Sequence, residues 1–95
     1  MVAVGAKALD SNTTGNGNIA IGKEALQTNT TASHNTAIGQ GALYFNTSGT
    51  RNTAVGANGP LTANTTGNDN TAFGYAAGAL NTTASGNTAV GSSAL

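Results

Sequence analysis

Large apolar residues recur at one place along this chain: Val4, Ile21, Ile38, Val55, Phe73 and Val90 each stand between an alanine and a glycine. The phrase around them is clearest at Asn35-Thr36-Ala37-Ile38-Gly39 and returns from Asn18, Asn52, Asn70 and Asn87; Met1-Val2-Ala3-Val4-Gly5 is a first copy without the asparagine. Successive asparagines stand 17, 17, 18 and 17 residues apart. A fixed period of this kind is the mark of a solenoid built from stacked units.

Helix is excluded by the abundance of Gly, Asn and Thr and by the absence of helical spacing among the large apolar residues. Alternation predicts a short strand instead, with the second and fourth positions on one face and the alanine on the other. Because the fourth position is always large, Val4, Ile21, Ile38, Val55, Phe73 and Val90 are assigned to a core or an assembly surface. The alanine column marks a face where another backbone comes close. A glycine follows every copy, as expected where a strand ends in a turn with positive φ. A second short strand or extended corner is expected through Ala25-Leu26 and Ala42-Leu43, adding Leu9, Leu26, Leu43 and Leu61 to the core.

The chain therefore reads as one all-β domain, 1–95, with units 1–17, 18–34, 35–51, 52–69, 70–86 and 87–95. The predicted fold is a parallel β-solenoid or β-roll of about six rungs, stacked at roughly 4.8 Å. An extra residue in Ala57-Asn58-Gly59-Pro60-Leu61 and a displaced leucine, Leu80, both fall between the glycine and the second asparagine, which marks a tolerant corner. Asn12, Asn29, Asn46, Asn64 and Asn81 are expected to form one amide ladder, and Asn18, Asn35, Asn52, Asn70 and Asn87 another. The pattern starts in phase at residue 1 and stops at Ala94-Leu95, so a segment of something longer, or a unit that stacks end to end, is expected.

Charge narrows the function. Charged residues are 6% of the chain and the net charge is zero, which leaves neither a nucleic-acid footprint nor a polybasic membrane patch. There is no cysteine, and no apolar run long enough to cross a membrane. His34 stands alone, and Asp10, Glu24 and Asp69 lie in different units, so no enzyme and no metal or cofactor site is expected. Gly67-Asn68-Asp69 occurs once and Gly15-Asn16-Gly17 lacks the rest of a nucleotide loop; both read as turns. Asn-Thr-Thr or Asn-Thr-Ser at Asn12, Asn29, Asn46, Asn64 and Asn81 matches a glycosylation acceptor, but repetition explains it as a ladder-forming corner. Tyr44, Phe45 and Tyr75 hold variable positions and are candidates for contact with a sugar or a partner surface, while Lys7, Lys23 and Arg51 read as solvated side chains.

At Asn35-Thr36-Ala37-Ile38-Gly39-Gln40-Gly41-Ala42-Leu43 the chain resembles the head repeats of trimeric autotransporter adhesins, and similar repeats of phage tail fibres. The resemblance covers nearly the whole chain, although the adhesin unit is shorter. It implies a left-handed β-roll, a homotrimer with a shared core, and a display or attachment role at a cell or virion surface. The thin supply of large apolar residues per unit points the same way, because such a coil is expected to need copies of itself. The leading expectation is thus an extracellular structural or adhesive rod, with a host-surface glycan or protein as its further partner. Alternatives are a self-assembling filament subunit and an ice-binding solenoid using the column Thr13, Thr30, Thr47, Thr65 and Thr82.

Overall fold

In the computed structural model, which describes residues 1–95, every copy of the phrase is a three-residue strand. These are β1 (Val2–Val4), β2 (Ile19–Ile21), β3 (Thr36–Ile38), β4 (Thr53–Val55), β5 (Thr71–Phe73) and β6 (Thr88–Val90). They lie in chain order in one six-stranded sheet. All pairs are parallel and in register, with Thr36 opposite Thr53, Ala37 opposite Ala54 and Ile38 opposite Val55. Parallel neighbours require a crossover, and the remainder of each unit supplies it. The chain thus makes one coil per repeat, a parallel β-solenoid.

The segment after each strand is a run of turns, not the second short strand or extended corner expected there. In the unit from Asn18, the N–H groups of Ala25, Gln27 and Asn29 donate to the carbonyls of Gly22, Glu24 and Leu26 at 3.2, 3.3 and 3.2 Å. Glu24 (φ 64°) and Leu26 (φ 52°) are left-handed, as the third residue of a type II turn must be. A left-handed leucine costs roughly 1–2 kcal/mol, whereas burying its side chain contributes about 1.5–3 kcal/mol. Leu9, Leu26, Leu43 and Leu61 share this conformation and are all buried, so burial outweighs the strain. The turns also bond from coil to coil, with Leu26 N–H donating to Ala42 O at 3.0 Å and Leu43 N–H to Pro60 O at 3.1 Å. Only 10 of 59 backbone hydrogen bonds lie within the strands, so the stack is held mainly outside them.

The interior is narrow, and this corrects the assignment of the large strand residues. Ala20, Ala37, Ala54, Ala72 and Ala89 are buried and cluster with Ala25, Ala42, Ala77 and the four leucines. Val4, Phe73 and Val90 are instead 57%, 54% and 70% exposed. Ile21 is also exposed, and Ile38 and Val55 are half-buried. The turn-run leucines occupy the interior beside the strand alanines, and the alternation of side chains sends the second and fourth strand positions outward.

The glycine after each strand follows from the same tight stacking. Gly22 has φ 127°, and a β-carbon there would stand 2.7 Å from the carbonyl carbon of Gly39. The irregular units are absorbed without disturbing the stack. Gly59 takes the place of Gly41 in the next coil, its N–H donating to Gln40 O at 2.9 Å, so Asn58 (φ 58°) is the inserted residue. In the unit from Asn70 the leucine's place is taken by Gly78, where an added β-carbon would meet Leu61 Cδ2 at 3.0 Å. The preceding coil fills the gap, and Leu80 stays exposed.

Candidate functional site

Two asparagine columns set the coil's shape, and they work differently. In one, Asn29, Asn46, Asn64 and Asn81 donate through Nδ2 to Oδ1 of Asn12, Asn29, Asn46 and Asn64 at 3.0, 3.1, 2.9 and 3.0 Å. This is the amide ladder read from the sequence. In the other, Asn18 Oδ1 accepts the backbone N–H of Asn35 at 3.0 Å and Asn18 Nδ2 donates to Ala32 O at 2.8 Å. The pattern repeats from Asn35, Asn52 and Asn70. That column ties side chain to main chain, because each amide lies beside the backbone of the next coil. Asn29, Asn46 and Asn64 are fully buried, so these three acceptor sequences present no free amide on the folded molecule.

With the interior closed by alanine, leucine and asparagine, the chemistry offered to a partner lies outside. The strand register places Val4, Ile21, Ile38, Val55, Phe73 and Val90 on one outward line. Beside it runs a second line, Val2, Ile19, Thr36, Thr53, Thr71 and Thr88. At the strand spacing of roughly 4.8 Å the apolar line is a continuous ridge along the sheet. Its end members Val4, Ile21, Phe73 and Val90 are exposed, and Ile38 and Val55 in the middle are half-buried.

The aromatic candidates are divided. Tyr44 is half-buried and Phe45 exposed, their rings edge to face with centroids 4.6 Å apart. Tyr75 is exposed and makes no ring contact with either. Lys23 Nζ lies 3.7 Å from Glu24 Oε1. No three His, Cys, Asp or Glu side chains come together.

One pair was not foreseen. Arg51 Nε and Nη2 donate to Asp69 Oδ1 and Oδ2 at 2.7 and 3.0 Å, a fork between adjacent coils. That hydrogen bond, with the charge of Arg51 adding to it, holds the Asp69 carboxyl below its ordinary range, and the same bond raises the Arg51 guanidinium. Both residues close their units, and reading the variable positions as columns would have placed them together. The Thr13 column faces the neighbouring coil: Thr13, Thr47 and Thr65 donate through Oγ1 to the carbonyls of Thr30, Thr65 and Thr82 at 3.1, 3.3 and 3.2 Å.

Compared with known proteins, the chain matches no family model, no curated protein and no solved structure.

Proposed function

We propose that the chain is a structural and adhesive rod segment that assembles with copies of itself along the outward ridge. The register of Val4, Ile21, Ile38, Val55, Phe73 and Val90 carries this reading. A surface repeating at the strand spacing is matched at every coil only by a partner with the same spacing, and a parallel copy of the chain has it. Three copies are favoured by the resemblance to trimeric adhesin heads and tail fibres. In a trimer the apolar line would lie inside, as a shared core that supplements the thin alanine interior. The near absence of charge suits a rod displayed outside a cell or on a virion, since little in it titrates. A glycan or protein of a host surface is the further partner in this reading. Light scattering at low micromolar concentration tests it: a mass three times the 9.1 kDa of the chain is expected, and a cooperatively melting monomer would sink the assembly.

Ice binding is the second reading, and the outward rank Thr36, Thr53, Thr71 and Thr88 beside an aliphatic rank favours it on a different face from the one expected. Val2 and Ile19 replace threonine on the first two coils and Phe73 interrupts the aliphatics, so assembly fits the face better. Strong thermal hysteresis removed by Thr53→Tyr would reverse that preference. The Thr13 column is less suited, because its hydroxyls donate to backbone carbonyls.

A further inference from the structure

The one cavity in the molecule is an open groove of about 370 Å³ on the turn run. It lies where the repeat departs from its own rule. Gly41 and the aligned Gly59 remove side chains from two successive coils, and the inserted Asn58 stands on the lining. Above and below them the equivalent column carries Glu24 and Ala76, so the trough has a carboxylate at one end and a methyl at the other. The neighbouring column adds Tyr44, Thr62 and Ala79. No residue of the outward ridge lines the groove, so assembly along that ridge leaves this lining unused.

We infer that this groove binds a neutral oligosaccharide, an inference that rests on the display reading above and gives it a ligand class. The lining carries planar groups that pair with adjacent hydroxyls: the Glu24 carboxylate, and the Gln40 and Asn58 amides, each with a donor and an acceptor side. Thr62 adds a hydroxyl, and the Tyr44 ring adds an apolar face with a polar tip, suited to a pyranose that shows C–H groups on its faces and hydroxyls on its edge. Glu24 is the only charged group on the lining, and its side chain is 28% exposed. Lys23 Nζ, 3.7 Å from Glu24 Oε1, offsets part of that charge, so the carboxylate accepts from a neutral sugar and disfavours an anionic one only modestly. The volume falls at the lower end of the roughly 300–1,000 Å³ of small-ligand sites, which fits a short stretch of glycan lying along the coils.

The test is a titration of the assembled ¹⁵N-labelled protein with lactose, cellotetraose and N-acetyllactosamine as neutral probes, and sialyllactose as the acidic one. At least one neutral probe is expected to shift the amide signals of Gly41, Gly59 and Thr62, with sialyllactose weaker. Tyr44→Ala should weaken binding about tenfold. Ala79→Trp, which fills the trough, should abolish it, and Tyr75→Ala should leave it unchanged. Absence of shifts with every neutral probe at millimolar concentration overturns the proposal, as do shifts confined to other residues or tighter binding of sialyllactose. Because the shifts are read on the unaltered protein, a variant that fails to fold leaves the result standing. Mass measured on the same sample separates the two readings: a trimer that binds no neutral probe defeats the groove alone, and a monomer that binds one defeats the assembly alone.

Discussion

The Asn46 side-chain amide sits between two neighbours of its own kind, donating to Asn29 Oδ1 at 3.1 Å and accepting from Asn64 Nδ2 at 2.9 Å. It also donates to Gly49 O at 2.9 Å, and the side chain is wholly buried. Replacement by a carboxylate removes both donations and leaves a charge without a cation. Asn46→Asp should therefore cost on the order of 3–5 kcal/mol near neutral pH. Asn81→Asp, at a half-exposed position where only one such neighbour is bonded in the ladder, should cost about 1 kcal/mol. Urea titration of the two variants checks the difference, and equal losses would mean that the ladder does not hold the coil.

Ile38 and Ala37 are adjacent in β3 but face opposite sides, so they separate folding from association. Ala37→Leu forces a large side chain into a closed interior and should lose about 1–3 kcal/mol or more of coil stability. Ile38→Asp puts its charge on the outward ridge and should abolish association while the strand signature in circular dichroism survives. Lys23→Ala and His34→Ala, both at exposed positions, should change stability by no more than about 0.5 kcal/mol. Sedimentation that found Ile38→Asp still assembled would remove the ridge as the interface.

Gly22→Ala tests the stacked glycines. The new methyl would meet the backbone of Gly39 at 2.7 Å, at a φ of 127° that alanine rarely adopts. Strain alone is worth about 1–3 kcal/mol, and the next coil must also move. Thermal melting should show a clearly lower midpoint. Gly86→Ala, where nothing lies near the added atom although φ is 73°, should show a smaller loss of about 1 kcal/mol.

The Arg51–Asp69 fork makes a signed prediction about pH. Asp69 titrates lower in the folded chain than in the unfolded one, so its contribution is present above the unfolded carboxylate range and is lost as pH falls through the folded value. Wild type should melt above Asp69→Asn near neutrality, with the gap closing under acid. The gap should be small and should shrink with added salt, because both side chains are largely exposed. A gap that widened towards acid would contradict the pairing.

Much of the architecture is legible in the sequence. The strands fall where the phrase placed them, and Thr36, Ala37 and Ile38 meet the partners that the period required. Which side of the strand faces inward is not set by side-chain size, since the larger Ile38 is less buried than Ala37. Within the strand the small residue is the buried one, because turn-run leucines such as Leu43 already occupy the interior that Ala37 faces. The turn run escaped because left-handed leucine has no compositional signal: Leu26 looks like a strand residue until its φ of 52° is known. The groove escaped for another reason. Glu24, Gly41 and Gly59 come together only when positions within different units are lined up as columns, and the insertion at Asn58 shifts that alignment by one.

The equivalence of neighbouring coils has a genetic consequence. Thr36 meets Thr53 as Ile19 meets Thr36, so removing residues 35–51 would bring together two coils whose joining surfaces already fit. The units differ at many outward positions but keep the same strand, glycine and asparagine places, so deleting or duplicating one in phase would remove or add a whole coil. Each such change would lengthen or shorten the solenoid by roughly one strand spacing, about 4.8 Å, without requiring a new kind of contact.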